Sequence, residues 1–247
     1  MASEPCRLDQ ALVERGLAPS RARAQGAIKA GHVMVNGRAV SKPAMQVHPS
    51  DEIELSELEH PYVSRAALKL VHGLDRFGIA VEGRNALDLG ASTGGFTQVL
   101  LERGAAHVIA IDVGHDQLHE NLRADPRVTM IEGLNAKDVD EKTVTELFDL
   151  IVCDLSFISL KKALPATLSL APPGTDLVAL IKPQFEVGKG RLGKGGVVKE
   201  EGLHDEVCAD IAEWLSSLPG WTVEGIEPSP IEGGDGNREF LIAAHYE

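Results

Sequence analysis

Asp88-Leu89-Gly90-Ala91-Ser92-Thr93-Gly94-Gly95-Phe96 is the stretch whose reading decides the fold. Residues 86–89 form a short apolar run that reads as a strand, and the glycines behind it form a turn before a helix expected near Phe96. Glycine in such a turn permits positive φ and lets backbone approach a ligand closely, although a plain structural turn is the competing reading. A second apolar run ends at Asp112, 22 positions beyond Gly90. An acid there is placed to meet ribose hydroxyls. The loop has neither the Gly-x-Gly-x-x-Gly spacing that holds a dinucleotide pyrophosphate nor the Gly-Lys-Ser/Thr of a nucleotide P-loop. A nucleoside-like ligand without a phosphate chain fits best.

Outward from this turn, apolar strands alternate with helical patterns. Strands are expected at 86–89, 108–111, 128–131, 150–153, 177–181, 223–226 and 240–244, which predicts an α/β fold with a Rossmann-like, seven-stranded and mostly parallel sheet over 64–247. Residues 58–63, in a stretch carrying acids and a proline, are expected to be the linker. Ahead of them, 1–57 reads as a small α+β domain. Leu8, Ala11 and Leu12 recur at helical spacing, and a second helix opens at Ser20 and closes at Gly31. A hairpin turns at Asn36-Gly37 between 33–35 and 38–40, and a further strand lies at 52–55.

The net charge of the 247 residues is −13, which by itself argues against a polyanionic partner. Its distribution reverses the argument. Residues 1–48 carry seven Lys/Arg against three Asp/Glu, so a basic head precedes an acidic body. Arg21 and Arg23 open the second helix, where they could hold phosphates. No signal peptide is legible, and apolar runs such as 177–181 are far shorter than the roughly 20 residues needed to cross a bilayer. A soluble, cytoplasmic protein is expected, with no membrane partner. Cys6, Cys153 and Cys208 are widely separated and form no metal-type pair, so they read as buried thiols, and no metal site is assigned.

Four further residues invite a chemical reading. Lys182 ends the apolar strand before Pro183, at the sheet edge where open α/β folds bind ligands. Asp154 ends another central strand. Lys69 falls in a helix expected over 64–74, on one face with Arg65 and His72. Glu239 opens the last strand. Taken singly, each is equally an ordinary boundary charge or solvated face.

Together they match a known pattern. The stretch RLDQALVERGLAPSRARAQGAIKAGHVMVNGRAV (7–40) resembles the alpha-L RNA-binding domain of a ribosomal small-subunit protein and of many pseudouridine synthases. DLGASTGGF with Asp112 resembles the cofactor site of FtsJ-type class I methyltransferases. With YVSRAALKL, DLSFISL, LIKPQFE and GGVVK, the whole chain resembles the TlyA family of ribosomal RNA 2′-O-methyltransferases, also labelled haemolysin-like. The resemblance implies S-adenosyl-L-methionine as cofactor. Gly90, Ser92, Gly94, Gly95 and Phe96 would lie near its methionine part, Asp112 on its ribose and Asn135 near its adenine, with Asp154 beside it. It implies a Lys69, Asp154, Lys182, Glu239 tetrad in which Lys182 activates a ribose 2′-hydroxyl, Asp154 orients it and the other two complete the network. The implied substrates are cytidines in ribosomal RNA or ribosomal subunits, with Arg7, Arg21, Arg23, Lys29 and Arg65 as RNA contacts. A loop rich in glycine and cations, with Lys189, Arg191, Lys194 and Lys199, would cover the RNA or stay in solvent. Lys137 stands where the family leads one to expect arginine.

Other classes stay open at this level: methylation of an RNA base, suggested by Asp154-Leu155-Ser156-Phe157; a membrane-active haemolysin; and an RNA chaperone on a vestigial cofactor fold. Two lysines beside an amine acceptor count against the first. The lack of a long apolar segment or a strongly basic amphipathic helix counts against the second.

Overall fold

The computed structural model describes residues 5–18, 20–29, 32–55, 61–193, 196–198, 201–233 and 236–247. It divides into two compact units, Met1–Pro61 and Tyr62–Glu247.

In the first unit, β1 (Cys6–Arg7), α1 (Leu8–Glu14), α2 (Arg21–Lys29), β2 (Val33–Val35), β3 (Arg38–Ala39), β4 (Gln46–Val47) and β5 (Ile53–Leu55) surround one small core. Leu8 and Leu12 of α1, Ala24 and Ile28 of α2, and Val33 and Val35 of β2 are all buried in it. The β2–β3 hairpin turns through Asn36 (φ 51°) and Gly37 (φ 71°), the two positive values that a tight hairpin of this kind requires. Sequence reasoning missed the pairing of β1 with β4, strands of two residues each and too short to leave a periodic signal. The expected cap at Gly31 lies outside the described residues, as do the side chains of Arg23 and Lys29.

The second unit is built on a seven-stranded sheet of order β11-β12-β10-β9-β6-β7-β8. The strands are β6 (Asn85–Leu89), β7 (His107–Asp112), β8 (Val128–Glu132), β9 (Leu150–Cys153), β10 (Asp176–Ile181), β11 (Trp221–Pro228) and β12 (Phe240–Tyr246). β12 runs antiparallel to both of its neighbours, and the other ladders are parallel. Period-two alternation divides the strands between two cores. Leu87, Leu89, Ile109 and Ile111 face the side covered by α6 (Leu160–Leu168) and α8 (Glu201–Ser216). Ala86, Val108, Leu150 and Val152 face the side covered by α3 (Ala67–Phe77) and α4 (Gly95–Glu102). Each fully buried aliphatic side chain of this kind contributes about 1.5–3 kcal/mol, so the sheet is a rigid platform for whatever its strand ends carry.

Three details differ from the sequence reading. The helix expected over 64–74 begins at Ala67, because Ser64 and Arg65 form turns whose carbonyls accept from the Ala67 and Leu68 amides. Arg65 therefore lies outside the helix that carries Lys69. Tyr62 and Val63, read as linker, pack against the core of the second unit, and the Val63 amide donates to Gln98 at 2.7 Å. Of the three thiols, Cys153 is buried while Cys6 and Cys208 are half-buried. Among the described residues no helix is long and apolar enough to cross a membrane.

Candidate active site

The carboxyl ends of β6, β7, β9 and β10 open onto a set of adjoining clefts, and the glycine-rich loop forms the floor of one. Gly90 has φ +86°, and a Cβ there would lie 2.6 Å from the Asp154 carbonyl oxygen. Gly95 packs its α-carbon against Ser64, where a Cβ would come within 2.9 Å of the serine Cβ. Gly94 (φ +96°) faces Leu118 and Leu122 instead of the cleft. The glycines are therefore demanded by contact of chain with chain. Gly90 lets two strand ends meet, and Gly95 seats α4 against the turn before α3.

Asp112 organises the opposite rim. Its carboxylate accepts the Ser92 amide at 2.8 Å and the Gly114 amide at 2.7 Å. Ser92 itself sits at φ 48°. Lone pairs remain on both oxygens of Asp112 for ligand hydroxyls. A cleft of about 510 Å³ lies between Asp112, Ser92, Asn135, Leu134 and Asp154, within the usual range for a small-molecule site. Asn135 reaches it while its side chain caps the short 3₁₀ turn Ala136–Asp138. Phe96 is buried beneath the loop and lines a smaller, connecting cavity of about 160 Å³ with Gly90, Gly95, Asp154 and Lys182. Two half-buried carboxylates, Asp112 and Asp154, with no cation lining the 510 Å³ cleft itself, suit a positively charged ligand better than a phosphate chain.

The four residues of the expected tetrad converge on this region as two ion pairs. Lys182, at the end of β10 and 7% exposed, meets the Asp154 carboxylate at 2.5 Å and donates to the Ser156 hydroxyl at 3.0 Å. Lys69 and Glu239, 170 positions apart, form a second pair whose side chains are 7% and 2% exposed. Strand register explains the proximity. Ile181 pairs with Phe240, so Lys182 and Glu239 leave neighbouring strands side by side. Lys69, Lys182 and Glu239 line one cleft of about 880 Å³, adjoining the first across Ser156, Phe157 and Ile158. Lys69 is thus a buried group on the cleft wall, and the solvated-face reading is excluded.

Three residues that the sequence reading placed in motifs but gave no role of their own shape the site. Asp88 is fully buried under the loop. Thr97 donates to its Oδ2 at 2.7 Å, and its Oδ1 has no partner. Burial, aided by the charges of Asp154 and Asp112, pushes its carboxyl up to about 7. Phe157 is 91% exposed at φ 66°, a conformation that costs a residue with a Cβ about 1–2 kcal/mol. Its ring lies 5.1 Å from that of Phe185. Glu186 closes the short helix α7 (Pro183–Glu186) and accepts from the Ser159 hydroxyl at 2.5 Å and the Leu160 amide at 2.9 Å. Burial holds its carboxyl above the ordinary glutamate range.

The expected RNA contacts are not gathered on one element. In the first unit, Arg7 and Arg21 both contact Asp9, a fully buried carboxylate that also accepts from Gln25 at 2.7 Å. Hydrogen bonds from Arg7 above all hold the Asp9 carboxyl well below the usual carboxylate range. Both guanidiniums nevertheless keep much of their surface in solvent, 40% and 55% exposed. In the second unit, exposed Arg65 donates to the Gly233 carbonyl at 3.3 Å. Arg191 is paired with Glu206 at 2.6 Å, while Lys194 and Lys199 and the side chain of Lys189 lie outside the described residues.

A sheet with one antiparallel strand next to its edge, a glycine-rich loop after its first strand and an acid after its second defines a Rossmann-like methyltransferase fold. Residues 62–246 match the FtsJ-like methyltransferase family and residues 6–53 match the S4 domain. The chain is 47% identical over 237 residues to the 16S/23S rRNA (cytidine-2′-O)-methyltransferase TlyA of Mycobacterium tuberculosis, covering 96% of this chain and 88% of that one. It is 41% identical to Hemolysin A of Brachyspira hyodysenteriae, over 97% and 99% of the two chains. A solved structure from Streptococcus thermophilus, provisionally named a hemolysin, superposes with a TM-score of 0.77 at 37% identity, covering 98% of this chain and 88% of the other. The chain belongs to the TlyA family of FtsJ-like methyltransferases.

Proposed function

We propose that this protein is a cytoplasmic, S-adenosyl-L-methionine-dependent methyltransferase that modifies the 2′-hydroxyl of cytidine in ribosomal RNA, with its S4 domain gripping the RNA. The observation that carries this reading is Lys182, buried against Asp154 where the loop-floored cleft meets the larger one that Lys69 and Glu239 also line. The 510 Å³ cleft fits the cofactor in size and in its acidic rim, with Asp112 for the ribose and Asn135 and Leu134 around the base. When bound there, the cofactor supplies an electrophilic methyl group on a sulfonium centre.

The remaining work falls to the protein. A ribose hydroxyl is a poor nucleophile, and the Lys182 ammonium lies where it would stabilise negative charge developing on the 2′-oxygen as that oxygen takes the methyl, the C–S bond to the sulfonium breaking to leave a neutral thioether. The hydroxyl proton would pass to the Asp154 carboxylate and on to solvent. Asp154 orients the lysine and the hydroxyl, and Ser156 fixes the second donor direction of the ammonium. The Lys69–Glu239 pair forms the buried back wall of the acceptor cleft. Phe157, exposed between the two clefts, offers an aromatic face on which an unstacked base could lie. The relative from Mycobacterium tuberculosis bears a name that specifies this chemistry, and the chain shares nearly its whole length with it.

The test is to incubate the protein with ribosomal RNA and labelled cofactor, digest to nucleosides and locate the methyl by mass spectrometry. Ribose methylation of cytidine is expected, together with resistance to alkaline cleavage on the 3′ side of the modified nucleotide. A methyl confined to the base would overturn the reading.

A further inference from the structure

The segment 154–159 is the wall between the two clefts, and its geometry is unusual. It carries Asp154, which pairs with Lys182, and then Phe157, at φ 66°, a residue 91% exposed whose ring meets only that of Phe185 at 5.1 Å among the ring contacts of the described residues. A strained backbone of this kind persists only where the surroundings over-determine it. Two cross-links do so here, and both come from the turn that follows β10. At the near end, the Lys182 ammonium holds Asp154 and the Ser156 hydroxyl. At the far end, the Glu186 carboxylate takes the Ser159 hydroxyl at 2.5 Å and the Leu160 amide at 2.9 Å. The second bond satisfies a donor of the first turn of α6 that the helix itself leaves unmade. Glu186 therefore caps α6 from a separate segment of the chain, 26 positions away from Leu160.

We infer that Glu186 is a positioning residue: its carboxylate latches segment 154–159 to the turn bearing Lys182 and so holds Phe157 upright at the acceptor cleft. The inference rests on the methyl-transfer reading above and goes beyond it by assigning a task to a side chain that borders the acceptor cleft but bonds to the wall segment and not to Lys182 or Asp154. Glutamate reaches both donors with one acceptor oxygen each; glutamine could keep both contacts, because the Ser159 hydroxyl can turn to accept from its N–H₂, so alanine is the variant that breaks the latch.

The experiment is a double-mutant cycle on the full chain with ribosomal RNA as substrate. Glu186→Ala should lower kcat about tenfold, with a smaller rise in KM for the cofactor, since the displaced wall borders both clefts while Asp112, Ser92 and Asn135 still hold the other sides of the cofactor cleft. In a Phe157→Ala background the same substitution should change kcat by less than about twofold, because the side chain it positions is gone. In the ligand-free protein, the Leu160 amide should also exchange its hydrogen faster in Glu186→Ala than in the wild type. Equal kcat losses in both backgrounds, or unchanged exchange at Leu160, would overturn the inference. Should Glu186→Ala fail to fold, Ser159→Ala removes one of the two bonds and must show the same dependence on Phe157. The location of the methyl in the wild-type product keeps the two claims separate. A base-methylated product defeats the proposed function, whereas ribose methylation with an additive cycle defeats the latch alone.

Discussion

Asp88→Asn should remove a large part of the pH dependence of this protein's stability. The wild-type carboxyl is fully buried, with one oxygen held by Thr97 and the other without a partner, and burial raises it from the ordinary 3.8 to about 7. A carboxyl raised on folding binds more protons in the native state than in the unfolded state. Its contribution is therefore fully present below about 3.8 and is lost as the pH climbs through about 7. At about 1.36 kcal/mol per tenfold, the whole loss is roughly 4 kcal/mol, of which roughly 2.5 kcal/mol falls between pH 5 and pH 8. Asparagine keeps the acceptor for Thr97 and cannot ionise, at a pH-independent cost of about 1–3 kcal/mol for an unpaired amide. The variant should thus gain roughly 2.5 kcal/mol on the wild type between pH 5 and pH 8, whatever its starting handicap. Urea unfolding of the ligand-free proteins at several pH values measures this directly, and the difference between them cancels every other titrating group. Both tryptophans, Trp214 and Trp221, lie in the second unit, so their fluorescence follows the domain that contains Asp88. A difference constant to within about 0.5 kcal/mol across that range would show that Asp88 ionises freely, and the argument from burial would fail.

Lys182→Ala should abolish methyl transfer and leave cofactor affinity nearly unchanged; turnover retained within about tenfold, ~1.4 kcal/mol of barrier, would remove it from its assigned role. Asp112→Ala should behave in the opposite sense, weakening cofactor binding through loss of the ribose contact and release of the Ser92 and Gly114 amides, and unchanged calorimetric affinity would contradict this. Removing residues 1–57 should leave a domain that still binds cofactor but loses most RNA affinity and most of its salt dependence; equal RNA binding with and without the head would end that division of labour. Asp9→Ala, which strips Arg7, Arg21 and Gln25 of their shared buried partner, should destabilise the first unit by about 3–5 kcal/mol, read as early melting of its amides by hydrogen exchange.

Much of the architecture was legible along the chain because its signals are local. Short apolar runs announced all seven strands of the large sheet, Asn36-Gly37 announced the hairpin, and Gly90 marked a turn that permits positive φ. Other features were invisible for an equally physical reason. The true start of α3 depends on Ser64 and Arg65 making turns against Gly95, a residue with no sequence proximity to them. Charge burial leaves no periodic trace either. Asp9 and Asp88 read like any other acid, and nothing in their neighbours' identities shows that one would be enclosed with three partners and the other with an empty oxygen.

By itself the sequence determined the order of the large sheet's strands and helices and the two-part charge distribution, set the expectation of a nucleoside-like ligand at the glycine-rich turn and, through family resemblance, named the four residues of the tetrad. Those features depend on residue type and spacing, which a linear string carries in full. Only the tertiary structure decided that the tetrad is two buried ion pairs, Lys182 with Asp154 and Lys69 with Glu239. It alone decided that the glycines serve chain packing, that Phe157 stands strained between two clefts, and that Glu186 reaches across to cap another helix. These are contacts between residues up to 170 positions apart. Their energies depend on distance, desolvation and strand register, quantities that come into being only when the sheet has closed and Ile181 lies beside Phe240.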